Sequence, residues 1–239
     1  MRHNQHGPAF VLMAANRGVE REGAGIVEVG IGLVEDKQNR VAIHGAGQAD
    51  ALDLAAEVHP ARIVINSHYK ADVLHAHLAH RDLLISHEAD RILDTGGGLK
   101  QARPLLNAKS AYTLNPDVTW SGPNPLRVLQ DMWRPDDMDA LLLCVPTARA
   151  VGRLGSGDFS TDEAGHISRG GDLVYTGAQI LKLDHMDRVA ETVFSLNRLW
   201  DLMISDTRAS AVEYPGHWCD VGRPEGVTLA EEMMAGADV

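Results

Sequence analysis

Two short segments place an aspartate directly behind an apolar run: Leu114-Asn115-Pro116-Asp117 after Ala111 to Thr113, and Asp220 after Trp218-Cys219 and before Val221-Gly222-Arg223-Pro224. In open α/β sheets ligands bind outside the carboxyl ends of the strands, so both carboxylates stand where a crevice would open. Pro116 cannot donate to a strand ladder, which stops the first run and leaves Asp117 beyond it. Mg²⁺ takes a few carboxylate oxygens and completes its octahedron with phosphate oxygens and water, so two converging aspartates suffice for a nucleotide site. Plainer roles stay open: Asp117 can begin a surface turn, and Asp220 can cap the following helix or pair with Arg223.

A third segment, Asp94-Thr95-Gly96-Gly97-Gly98-Leu99, leads into a helical pattern. Three missing Cβ atoms let a flat base or a phosphate reach the backbone, although a tight turn without a ligand would use glycines too. No Walker A segment is present, and the triplet lacks the Gly-x-Gly-x-x-Gly spacing of dinucleotide folds. His75, His77 and His80 share one helix, but His77 lies on its apolar face and His75 off it, so the three are not expected to form a metal site.

The elements that must position these residues follow an alternating order. Ala9 to Ala15 is a continuous apolar run, as a buried parallel strand should be, whereas residues 16 to 50 are rich in glycine and resist assignment. Helices are predicted over about 50–58, 70–80, 99–106, 125–133 and 186–204, with a last one begun by Pro224. Strands are predicted at 62–66, 83–86, 111–114, 140–145, 173–175 and 211–214. Residues 158–161 and 166–168 read as an inserted hairpin turning at Asp162-Glu163-Ala164-Gly165. The expected fold is a single α/β domain over 1–239, with a mixed, mainly parallel Rossmann-like sheet and helices on both faces.

Charge narrows the partners. Lys and Arg total 22 against 33 Asp and Glu, a net charge of −11 that opposes binding of nucleic acid but leaves small nucleotides open. Cys144 and Cys219 form no metal-ligand pair, which suits a reducing compartment. The apolar run at 9–15 is too short for a signal or a membrane span, so a cytoplasmic location without membrane contact is expected, with the oligomeric state left open.

Taken together, Ile92 to Leu99, Leu114 to Asp117, Gly157-Asp158-Phe159, Tyr175-Thr176-Gly177 and His217 to Pro224 resemble the sugar-1-phosphate nucleotidyltransferases, in particular the branch that uridylylates N-acetylmuramate 1-phosphate. The resemblance covers about residues 55 to 234 and implies the nucleotide-diphospho-sugar transferase fold. By that resemblance Gly96, Gly97, Gly98 and Asn115 face the nucleotide, together with Ala14, Ala15 and Gly18 of the first loop. Asp117 and Asp220 would hold Mg²⁺, and Gly157, Asp158, Thr176 and Gly177 would face the sugar. The implied partners are a nucleoside triphosphate (UTP for that branch) and a sugar 1-phosphate, with pyrophosphate as product and a place in sugar-nucleotide synthesis and cell-wall recycling.

The amino-terminal fifth departs from the family, whose first loop reads Leu-Ala-Ala-Gly-x-Gly-x-Arg-Met and is followed by a Lys-Pro pair. Here Asn16 replaces a glycine, Glu20 stands in the arginine position, and Asn39-Arg40 aligns with Lys-Pro. Arg21 and Lys37, with Arg40, are the candidate catalytic cations in displaced positions. A member that binds sugar nucleotides without appreciable turnover is the alternative. An S-adenosylmethionine methyltransferase is a third reading, since an acidic residue before a glycine-rich turn also opens that cofactor site.

Overall fold

The computed structural model describes residues 9–12, 33–35, 41–43 and 49–237. Strands β1 (Ala9–Leu12), β2 (Leu33–Glu35) and β3 (Val41–Ile43) precede α1 (Ala49–Glu57), β4 (Ile63–Ser67), α2 (Ala71–Leu78) and β5 (Leu84–His87). Next come α3 (Asp94–Leu106), β6 (Ser110–Leu114), β7 (Val118–Ser121), α4 (Pro125–Met132), β8 (Ala140–Pro146) and β9 (Ala150–Val151). The hairpin β10 (Phe159–Thr161) and β11 (Ile167–Arg169) leads to β12 (Leu173–Lys182), α5 (Asn197–Ser205), β13 (Ala209–Glu213), β14 (His217–Asp220) and α6 (Pro224–Ala237).

The main sheet runs β11-β10-β12-β6-β1-β4-β5, with β8 beside β12 and β13 beyond β8. Pairing is parallel through β6, β1, β4 and β5 and again between β8 and β13, while β12 is antiparallel to both β6 and β8. The sheet is mixed as expected, and β12 extends well beyond the Leu173-Val174-Tyr175 that composition marks. Its ladder to β8 shifts register between Tyr175 and Gln179, where Gly177 has φ +88°. Such a bulge bends the strand and re-aims the residues within it.

Alternation along β8 shows why the sheet is covered on both faces. Ala140, Leu142 and Cys144 pack with Leu99, Ala102 and Leu106 of α3 and Leu199 and Met203 of α5. Leu141, Leu143 and Val145 pack with α1, α2 and α4 through Leu52, Leu78 and Leu126. A strand buried on two faces reads as an unbroken apolar run, which is how β8 is recognised. Local chemistry sets the ends: the Asn124 side chain accepts hydrogen bonds from the N–H groups of Leu126 (2.9 Å) and Arg127 (3.3 Å), and Pro125 opens α4. In the hairpin Asp162 Oδ1 accepts from Ala164 N and His166 N, each at 2.9 Å.

The helix predicted over 186–204 is the main correction. A short 3₁₀ turn occupies Asp184–Arg188, the chain is non-helical to Leu196, and only α5 is an α-helix. The intervening backbone makes its hydrogen bonds elsewhere: Gly97 N donates to Phe194 O (2.9 Å), Phe194 N to Leu93 O (3.1 Å) and Leu196 N to Thr95 Oγ1 (3.0 Å). Val189, Leu196, Trp200 and Met203 are buried in one core cluster, the last two from α5 itself, while Val193 is exposed. Among the described residues no helix is long and apolar enough to cross a membrane. Cys144 and Cys219 are free and buried.

Candidate nucleotide and sugar phosphate site

β6 ends at Leu114, and Asn115-Pro116-Asp117 carries the chain across to β7. β14 then pairs antiparallel with β7, Asp220 opposite Val118, which brings the second aspartate beside the first. Val221 N donates to Asp117 O (2.9 Å), and Gly222 N donates to Asp220 Oδ1 (2.9 Å). Both carboxylates converge on Gly222: a Cβ there would sit 3.0 Å from Asp220 Oδ1 and 3.4 Å from Asp117 Oδ2. The two side chains are buried, at 5% and 8% exposure. Two buried carboxylates facing one point, beside a residue with no side chain, form a donor set suited to a hard cation that takes its other oxygens from substrate and water.

These aspartates line a cleft of about 350 Å³ that Asn115, Asp158, Thr176 and Gly177 also line. Gly177 belongs here for a backbone reason, since its positive φ at the β12 bulge brings it against Asn115, whose N–H donates to Gly177 O at 2.9 Å. Thr176 is fixed from both ends: its Oγ1 donates to Leu143 O (2.6 Å), and its carbonyl accepts from Trp218 Nε1 (2.9 Å). Asp158 accepts from Arg153 Nη2 (2.9 Å) and from Tyr175 N (3.0 Å).

The far wall is aromatic and cationic. Phe159 and Tyr175 meet Trp200 edge to face at 5.7 and 4.9 Å, and the Arg169 guanidinium lies 5.0 Å from the Phe159 ring centre. Arg169 is held by Asp201 and by Asn197 Oδ1 (2.7 Å). Burial keeps Tyr175 a neutral phenol by pushing its pKa far up.

The glycine triplet does not face this cleft. It lies inside the first turns of α3, and the expected open turn before a helix at 99–106 is corrected: the helix begins at Asp94. The close approach is made by the protein itself. A Cβ on Gly96 would lie 2.5 Å from the Phe194 ring, one on Gly97 would overlap Thr192 O, and one on Gly98 would lie 2.7 Å from Glu88 Oε1. Gly157 is likewise packed against backbone, 2.7 Å from Gly171 O by the same measure, and is not in the cleft wall. Ala14, Ala15, Gly18, Arg21 and Lys37, with Arg40, fall outside the described residues.

Asp94 and Thr95, the lead-in to the glycines in the family-like segment, do line the cleft. Asp94 adopts φ 62°, unusual for a residue with a side chain, and its Oδ1 accepts from Thr95 N. Arg153, Arg169 and Trp200 also belong to the wall without a local motif to mark them. His75 and His87 flank the Ser67 hydroxyl, and no group of three metal-ligating residues occurs among the described ones.

No family model matches the chain. Over 201 residues, 77% of this chain and 81% of the relative, it is 33% identical to N-acetylmuramate alpha-1-phosphate uridylyltransferase of Caulobacter vibrioides. The chain belongs to the sugar-1-phosphate nucleotidyltransferase family. Two solved structures share its fold at lower identity. HddC of Yersinia pseudotuberculosis, complexed with GMP-PN, matches at TM-score 0.67 and 17% identity, covering 95% of this chain and 99% of its own. A Bacillus anthracis protein crystallised with sucrose and assigned as a glucose-1-phosphate thymidylyltransferase matches at TM-score 0.71 and 10% identity, covering 98% and 96%. The fold is therefore that of the nucleotide-diphospho-sugar transferases. The methyltransferase reading needed an open glycine-rich turn after Asp94, and the helix there removes it.

Proposed function

We propose that the chain transfers a nucleoside monophosphate from a nucleoside triphosphate to a sugar 1-phosphate, with UTP and N-acetylmuramate 1-phosphate as the first pair to test. The observation that carries this reading is the convergence of Asp117 and Asp220 on Gly222 inside the cleft of a chain related to an enzyme of that name. An oxygen of the sugar phosphate attacks the α-phosphorus, the bond to the β-phosphate oxygen breaks, and pyrophosphate leaves. This chemistry needs alignment and charge neutralisation and no nucleophile from the protein.

Asp117 and Asp220 would hold Mg²⁺, which when bound offsets the negative charge of the phosphates. The remaining residues position the reactants. Asn115 and Gly177, joined backbone to backbone, form a rigid floor beside the aspartates. Asp158 presents a carboxylate toward the sugar, Thr176 is held as part of the wall by its bonds to Leu143 and Trp218, and Trp200 with Phe159 offers an apolar face that excludes water. The buried free thiols agree with a cytoplasmic setting, where UTP is available.

One sequence feature favours a second reading, a member that binds without turnover: Asn16, Glu20 and Asn39 stand where the resemblance calls for glycine, arginine and lysine. Pyrophosphate release separates the two. With Mg²⁺, turnover is expected for a nucleoside triphosphate plus a sugar 1-phosphate and is abolished by a chelator. Sugar-nucleotide binding with no release from any pair would leave only the binding role.

A further inference from the structure

We propose that Arg153 binds substrate phosphate, supplying a cation beside the aspartate pair. This inference rests on the nucleotidyl-transfer reading for its chemistry and on the cleft geometry for its location. Arg153 follows Gly152, whose φ of +74° and missing Cβ let the chain pass against the Asp220 carbonyl, where any side chain would overlap that oxygen. β9, ending at Val151, pairs in parallel with β14, Val151 opposite Cys219. The guanidinium is thus carried from the strand next to Asp220 into the cleft wall.

Its far side is anchored by one bond, Nη2 to Asp158 Oδ1 at 2.9 Å, and Asp158 is itself fixed by the Tyr175 N–H. Arg153 Nε is buried and has no hydrogen-bond partner among the described residues. The guanidinium is poorly satisfied by the protein and its side chain is 26% exposed, so a phosphate oxygen arriving in the cleft would meet its remaining Nη donors with charge-assisted bonds. Arg169, the other arginine of the wall, is already engaged by Asp201, by the Asn197 side chain and by the Asn197 carbonyl, and serves the aromatic wall instead. Between the two, Arg153 has the donors to spare.

The ligand chemistry is a phosphate oxygen, which the triphosphate and the sugar 1-phosphate both carry. Calorimetry on the full chain with Mg²⁺ tests it, using pyrophosphate in one arm and sugar 1-phosphate alone in the other. Arg153→Gln should weaken at least one of them tenfold or more, and the arm affected names the phosphate that Arg153 meets. Arg153→Lys should recover part of that loss. Asp158→Asn, which removes the competing carboxylate, should tighten pyrophosphate binding if Arg153 meets the nucleotide side; a brace-only Arg153 predicts that it weakens binding as Arg153→Gln does. In turnover, Arg153→Gln should lower kcat or raise KM for one substrate by about 10². Folded Arg153→Gln protein with both affinities and turnover within twofold of the parent would overturn the proposal. The binding arms decide this even if no substrate pair turns over, so failure here is distinct from failure of the nucleotidyl-transfer reading.

Discussion

Asp117 and Asp220 owe their meeting to strand register. Asp220 pairs with Val118, the residue after Asp117, and both carboxylates face Gly222. Replacing either by Asn keeps the shape and removes a charge, so Mg²⁺-dependent turnover should fall by about 10² or more while thermal stability changes little. Steady-state kinetics at graded Mg²⁺ with a melting curve checks this, and unchanged kinetics in both variants would remove the metal role. Their placement behind apolar runs was legible in the sequence, but their convergence was not, because it depends on the pairing of β14 with β7. Asp94 belongs to the family-like segment, but its place in the cleft wall follows from a backbone at φ 62° that cannot be read from residue type. Arg153 and Arg169 were hidden for another reason: each is brought to the cleft by tertiary placement, one beside β14 and one on β11.

At the scale of elements, α3 and the segment before α5 explain each other. Residues 189–196 cross the first turns of α3, and the three glycines exist because that crossing and the Asn66–Glu88 pair leave no space for a side chain. Gly97→Val should therefore lower stability: overlap with Thr192 O should cost about 3 kcal/mol, read by urea denaturation. A Gly97→Val protein of parental stability with weakened nucleotide affinity would instead return the triplet to the binding surface. The structure corrects the turn expected ahead of residue 99, since α3 begins at Asp94. Glycines are read as turns, yet one helix crossing another segment closely has the same requirement, and nothing local distinguishes them. The extension of the predicted helix over 186–196, ahead of the real α5, has the same origin, because a stripe of buried apolar residues at three- and four-residue steps also arises where an irregular chain lies along a helix. By contrast β4, β6, β8, α1 and α4 lie within a residue or two of expectation, since uninterrupted burial and a proline start leave strong marks.

For the whole molecule, one buried ionic knot ties the far end of the sheet. Asp139 accepts from Arg208 (3.0 Å), Lys182 (2.7 Å) and His185 (2.8 Å), linking β8, β12 and β13 at the end opposite the cleft. Burial alone would raise its pKa, but these hydrogen bonds outweigh burial and hold the carboxyl far below its ordinary 3.8. A depressed carboxyl stabilises the fold above its unfolded pKa and loses that contribution as pH falls through its folded value. Asp139→Asn should thus cost about 3 kcal/mol at pH 7, with the gap to the parent narrowing below pH 4, as seen by denaturant titration at several pH values. A gap independent of pH would assign the effect to packing. The two cysteines report on the same integrity: burial pushes the Cys219 thiol up to about 11 and Cys144 higher still, so a thiol reagent at pH 8 should label neither until the chain unfolds. Fast labelling of the folded protein would show that the core around β8 or β14 opens readily.

The central claim is that this cleft joins a nucleotide to a sugar phosphate, and the product itself is the most direct test. Phosphorus NMR of UTP, N-acetylmuramate 1-phosphate and Mg²⁺ with the full chain should show the triphosphate and monoester signals decay together as a diphosphate diester and pyrophosphate grow, with no change when Asp117→Asn protein is used. Unaltered UTP across the panel of nucleoside triphosphates and sugar phosphates, with folded protein and Mg²⁺ present, would contradict the account.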